Sequence, residues 1–139
     1  SFFSYDFKNH NLIKVDAISN YFVLFANLQN EDINNKIINK LKEYNSQKEY
    51  FFTTVNPKDN TFEETRYWRG PVWINSNWIV YQGLLDKDKN FSNLIKNKTL
   101  ELLENKKFHE YYNYKTGECL GANNFSWSAA LYLDLKLNN

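Results

Sequence analysis

Along this chain, segments that are apolar on nearly every side alternate with segments apolar on one side only, and this alternation limits what the chain can fold into. From Asp16 to Leu28, Ala17, Ile18, Tyr21, Phe22, Val23, Leu24, Phe25 and Ala26 leave almost no polar face on a helix. The same holds for Val72 to Leu85, with Trp73, Ile74, Trp78, Ile79, Val80, Tyr81, Leu84 and Leu85. It holds again for Phe125 to Leu137, with Trp127, Ala129, Ala130, Leu131, Leu133 and Leu135. A helix apolar all round has to be covered all round. Between these lies Glu31 to Tyr44, where Ile33, Ile37, Ile38, Leu41 and Tyr44 form one stripe and Asn34, Lys36, Asn39, Lys40 and Lys42 fill the rest. Phe91 to Glu104 is also one-faced, through Phe91, Leu94, Ile95, Leu102 and Leu103. No convincing strand pattern interrupts them. The expectation is an all-α fold in two concentric layers, inner helices buried by outer ones. A four-helix bundle, in which each helix shows a single stripe, does not fit.

Local signals set the helix starts. Asp16 and Asn30 are expected caps, Glu31 and Asp32 lie where the helix dipole favours negative charge, and Pro71 is expected at the first helical position. Asn124 or Ser126 is expected to cap the last helix. Connections leaving an enclosed helix are short, whereas Asn45–Pro71 and Asn105–Asn124, which enter one, are long, and Ser1–Val15 reads as a third. The long loops therefore gather at one end, above the amino termini of the inner helices. Loops of that length in a compact domain are usually functional.

Charge narrows the function. A balance of 17 basic and 16 acidic side chains, net +1, argues against nucleic-acid and membrane-surface roles, which call for a field of one sign. No apolar run reaches the ~20 residues of a membrane span. The single cysteine, Cys119, excludes an internal disulfide and fits a reducing, cytoplasmic location. The chain contains no methionine, from which we expect a piece of a longer protein. Its 11 Phe, 10 Tyr and 4 Trp in a hydrophilic sequence need a separate account.

The first long loop ends Arg66-Tyr67-Trp68-Arg69-Gly70-Pro71-Val72-Trp73. Aromatic faces receive the C–H faces of sugars, and arginine forks bind hydroxyls or carboxylates; a packed loop anchor explains the same run. In the second loop, Phe108-His109-Glu110-Tyr111-Tyr112, Glu110 is flanked by aromatics and suits proton transfer, although an ordinary solvated charge is the blander account. His10 and His109 lack metal-ligand spacing, so no metal is expected. Cys119 lacks a paired histidine.

The runs Tyr67-Trp68-Arg69-Gly70-Pro71-Val72-Trp73-Ile74-Asn75 with Asn77-Trp78 and Tyr81, Phe108-x-Glu110-Tyr111-Tyr112, and Thr116-Gly117-Glu118-x-Leu120-Gly121-Ala122 followed by Phe125-Ser126-Trp127-Ser128-Ala129-Ala130-Leu131 together resemble the carboxy-terminal end of glycoside hydrolase family 63. That family includes the processing α-glucosidase of glycoprotein maturation and bacterial glucosylglycerate and mannosylglycerate hydrolases. The resemblance implies that residues 1–139 are a single segment, the carboxy-terminal part of an (α/α)6 barrel. It also implies inverting hydrolysis of an α-linked glucoside or related sugar by two carboxylates, with no cofactor. Glu110 matches the general base. Tyr67, Trp68 and Trp73 match positions lining the sugar pocket, and Arg69-Gly70-Pro71 matches the loop that shapes it. Tyr114 stands where proline is common and Cys119 where glycine is common. The family's general acid, an aspartate in an Asp-Asn-Ser-like context, has no match here; Asp6, Asp16, Glu63 and Glu64 do not fit it. An inverting pair stands about 6.5–9.5 Å apart with water between. The implied partners are thus a carbohydrate substrate and the remaining amino-terminal part of the same barrel. The competing expectations are a non-catalytic sugar-binding or helical interaction module that keeps the aromatic pocket, and a plain helical scaffold.

Overall fold

Two antiparallel hairpins stand where the sequence pattern promises only loops. The computed structural model describes residues 2–26, 28–45 and 52–137. It opens with β1 (Ser4–Asp6) paired to β2 (Asn11–Ile13), Tyr5 opposite Leu12. A 3-10 helix over Ile18–Leu24 follows, then α1 (Glu31–Asn45), α2 (Ile74–Leu84) and α3 (Lys89–Lys106). A second hairpin joins β3 (His109–Tyr112) to β4 (Cys119–Asn123), and α4 (Ser126–Leu137) closes the order. These hairpins overturn the all-α expectation, and with it the expected part of an (α/α)6 barrel built of helices alone. Tyr111 and Tyr112 suit a pleated, half-buried surface. The connection between β3 and β4 is turned by Asn113, whose Oδ1 accepts the amides of Lys115 and Thr116, and by Gly117 at φ +65°.

The first enclosed segment is also corrected. Among its described residues only one short 3-10 helix forms, and it buries Ile18, Tyr21 and Leu24 while Phe25 is left exposed. Its crowded β-branched and aromatic side chains are poor α-helix formers. Asp16 does not cap it. Ala17 holds that position, and the Asp16 carboxylate instead accepts from Asn56 Nδ2 at 2.7 Å and the Tyr21 hydroxyl at 3.1 Å. On α1 the Asn30 cap is present, its Oδ1 accepting the Ile33 amide at 3.0 Å. The buried stripe there is Asn34, Ile37, Ile38, Leu41 and Tyr44, with Asn34 in the place expected of Ile33. Asn34 fits because its Nδ2 donates to the Leu28 carbonyl.

Pro71 lies ahead of α2 rather than in its first turn, because Val72 is held by the second hairpin. The Val72 and Tyr112 backbones exchange hydrogen bonds of 2.8 and 2.9 Å, so α2 starts only at Ile74. From there α2 runs through the middle of the molecule and packs on the 3-10 helix, α3 and α4. One apolar core joins Leu24, Leu41, Val80, Leu84 and Ile95; a second, of Val72, Ile74, Leu102, Leu103 and Tyr112, lies under the β3–β4 hairpin. Phe125 rather than Asn124 or Ser126 opens α4, its carbonyl accepting the Ala129 amide at 3.2 Å. That helix buries Ser128 and Leu135 but leaves Trp127, Leu133 and Leu137 open, so it is not enclosed among the described residues.

Candidate active site

Glu110 sits at a break in the β3–β4 ladder. His109 pairs with Asn123 and Tyr111 with Leu120, so Gly121 and Ala122 together face the single residue Glu110. This bulge re-aims the side chain, as bulges beside functional groups commonly do. Gly121 adopts φ +69°, and a Cβ there would stand 2.6 Å from Glu110 Oε2. Only a residue without a side chain lets β4 come so near the carboxylate. The Ala122 amide then donates to Glu110 Oε2 at 3.1 Å. The hairpin is fixed from behind: the Tyr112 hydroxyl donates to the Lys107 carbonyl and accepts the His109 amide, and Ser128 Oγ donates to the His109 carbonyl at 2.7 Å.

The first loop meets this hairpin from the other side. Glu63 ties it into a knot, accepting from Arg66 and Arg69, each at 2.9 Å from Oε1. The two guanidiniums, Arg66 foremost, hold the Glu63 carboxyl below its usual range. Gly70 is buried against this turn, where a Cβ would stand 2.0 Å from the Glu63 carbonyl oxygen. Glu64 reaches across to the hairpin, accepting from Asn113 Nδ2 at 3.0 Å and Lys115 Nζ at 3.1 Å, and these donors lower its carboxyl too. At the tip, the Tyr67 hydroxyl donates to Glu110 Oε1 at 2.9 Å. That bond to the carboxylate pushes the Tyr67 phenol above its ordinary value.

The aromatic residues form one stack. Trp73 lies between Trp68, 4.0 Å away at 14°, and Tyr111, 5.2 Å away at 16°. Tyr67 stands edge-on to all three rings. Of the residues expected at the sugar pocket, Tyr67, Trp68 and Trp73 are thus brought together around Glu110. Tyr67 and Trp68 are each 46% exposed, whereas Trp73 is buried and acts as the pillar of the stack. Arg69 and Gly70 do not join them: one is paired to Glu63, the other packed beneath it. Tyr111, the Ala122 amide, and Asn75, Phe125 and Trp127, which border a crevice beside Glu110, are additions the sequence reading lacked. The glycines at 117 and 121, as turn signals, are what could have marked the first two.

Cys119 is half-buried, its Sγ 3.0 Å from the Lys106 carbonyl oxygen, and burial pushes its thiol up. Among the described residues no group of three or more His, Cys, Asp or Glu is arranged to hold a metal, and no helix is long and apolar enough to cross a membrane. The chemistry on offer is that of a carboxyl group with one donor on each oxygen, beside the open rings of Tyr67 and Trp68.

Comparison with known proteins assigns this arrangement to a family. The mannosylglycerate hydrolase MGH1-like glycoside hydrolase domain matches residues 1–128. The chain belongs to that family. Within it, the mannosylglycerate hydrolase of Thermus thermophilus is 36% identical over 135 residues, which cover 95% of this chain and 32% of the relative. Mannosylglycerate hydrolase MGH1 of Selaginella moellendorffii is 34% identical over 113 residues, 79% of this chain and 23% of the relative. Among solved structures, the GH63 mannosylglycerate hydrolase of Thermus thermophilus in complex with Tris and D-glycerate superposes with a TM-score of 0.87 at 36% identity, covering 94% of this chain and 32% of that one. This MGH1-like chain therefore spans about a quarter to a third of the length of such relatives.

Proposed function

We propose that the protein hydrolyses an α-glycosidic bond of an α-glucoside or related sugar with inversion, Glu110 acting as general base. In this reading residues 1–139 are the carboxy-terminal part of a larger catalytic domain, and the general acid comes from a part of that domain outside them. Trp68, with the rings of Tyr67 and Trp73, borders the sugar pocket. Arg69 and Gly70 serve it indirectly, by closing the turn that presents Tyr67 and Trp68. Mannosylglycerate is the substrate named for the relatives, so a sugar joined to a small hydroxy acid is the first compound to try.

The observation that carries the reading is the fixed carboxylate of Glu110, tied at 2.9 Å and 3.1 Å to one donor per oxygen beside the exposed rings of Tyr67 and Trp68. A general base must be ionised, held still and within reach of water. In the complete enzyme, Glu110→Gln is expected to lower kcat by about 10²–10⁴-fold with folding unchanged. Proton NMR of the first-formed sugar is expected to show the β-anomer released from an α-glycoside. Wild-type turnover by Glu110→Gln would falsify the base assignment, and first release of the α-anomer would remove inversion.

A further inference from the structure

Several independent constraints converge on one hydroxyl. A tyrosine hydroxyl has a single hydrogen to give, and that of Tyr67 goes to Glu110 Oε1 at 2.9 Å. The Tyr67 ring is flanked on several sides. Trp68, Trp73 and Tyr111 present it with edge-on contacts at 5.8, 5.0 and 5.4 Å between centroids. Its backbone is fixed as well, because the Trp73 indole N–H donates to the Tyr67 carbonyl at 3.0 Å. Tyr67 has φ +23°, outside the regions open to most side chains. A residue that only offers a ring for a sugar to stack on needs neither a strained backbone nor a hydroxyl already engaged.

We propose that Tyr67 is a positioning residue for the base: its hydroxyl fixes Oε1 of Glu110, as the Ala122 amide fixes Oε2, so that the remaining lone pairs face the attacking water. The proposal rests on Glu110 being the base. A carboxylate has about four acceptor sites, and two donors leave roughly one per oxygen for water and for the proton it gives up. The proton passes from water to the Glu110 carboxylate as the water oxygen bonds to the anomeric carbon, while the glycosidic C–O bond breaks and the leaving oxygen takes a proton from the general acid outside residues 1–139. Tyr67 keeps its own proton throughout. Its raised phenol value is consistent with that.

Tyr67→Phe in the complete enzyme tests this, since it deletes one oxygen and keeps the ring and its three edge contacts. Positioning predicts that kcat falls about 10- to 100-fold while KM stays within about twofold. It also predicts that adding Tyr67→Phe to Glu110→Gln costs less than about a further twofold, because the hydroxyl acts only through the carboxylate. A rise in KM at unchanged kcat would overturn it in favour of a substrate contact. An equal loss in both backgrounds, or no effect on either constant, would overturn it too. Failure of the base assignment is separate and shows in Glu110→Gln alone, as wild-type turnover. The ring of Tyr67 is half-exposed, so the fold is expected to survive, with an unchanged unfolding midpoint as the check.

Discussion

Gly121 governs how closely β4 approaches the Glu110 carboxylate, and a methyl group is enough to disturb it. Gly121→Ala places a Cβ against Oε2 and forces an L-residue to φ +69°. It is expected to cost about 1–2 kcal/mol of stability and to lower kcat of the complete enzyme by displacing the carboxylate, as read from denaturant unfolding and initial rates. At this scale the sequence is legible where a motif singles out a side chain of the candidate site. Glu110, proposed as the base, and Trp68 both stand out from their motifs, and Tyr67 links them in the fold, bonded to one and edge-on to the other. It is less legible where a residue acts by packing. Arg69 reads as a ligand for hydroxyls until Glu63 is seen to hold it. Gly70 reads as part of a pocket until the Glu63 carbonyl is found against it.

Among the elements, α3 shows how far a single carboxylate organises a helix. Asp88 accepts the Phe91 amide at 3.0 Å as cap and pairs with Lys42 of α1 at 2.6 Å. Asp88→Ala is expected to destabilise by about 1–2 kcal/mol at neutral pH. Lys42 foremost, and then the Phe91 amide, hold the folded carboxyl below the ordinary 3.8. The stabilisation is therefore full above that value and is lost as pH falls through the lowered one. The gap between wild type and variant should narrow from pH 7 towards pH 3, measured by chemical unfolding. Elements with one apolar stripe, such as α1 and α3, follow from the sequence directly. The 3-10 helix and both hairpins do not, because their form is settled by distant partners. Asp16 is drawn off by Asn56, and β3 exists through its pairing with β4 and with Val72. An apolar run without stripes says only that a segment is to be covered; whether it becomes α-helix is decided by what covers it.

In the whole molecule, α2 is enclosed as its composition requires, but α4 is covered on one side only. Trp127 at 48%, Leu133 at 57% and Leu137 at 76% exposure share its open flank. Contiguous apolar surface of this kind drives association. The 139-residue chain produced alone is expected to elute as species larger than a monomer, and Leu133→Glu with Leu137→Glu to shift it towards the monomer by light scattering. An unchanged distribution would show the flank to be inert. The flank was foreseeable from composition, since three all-apolar segments exceed what two one-faced helices cover. Its place on α4 was not, because composition is silent about which helix is left uncovered. The donor at Ala122 has a different consequence, which concerns inheritance. What that position supplies is an amide, common to every amino acid except proline. Two descendants of this chain can differ there in their letters and still hand the same hydrogen to the same oxygen, provided the bulge is copied. Part of the site is thus transmitted as shape rather than as text, and Gly121 is its only spelling.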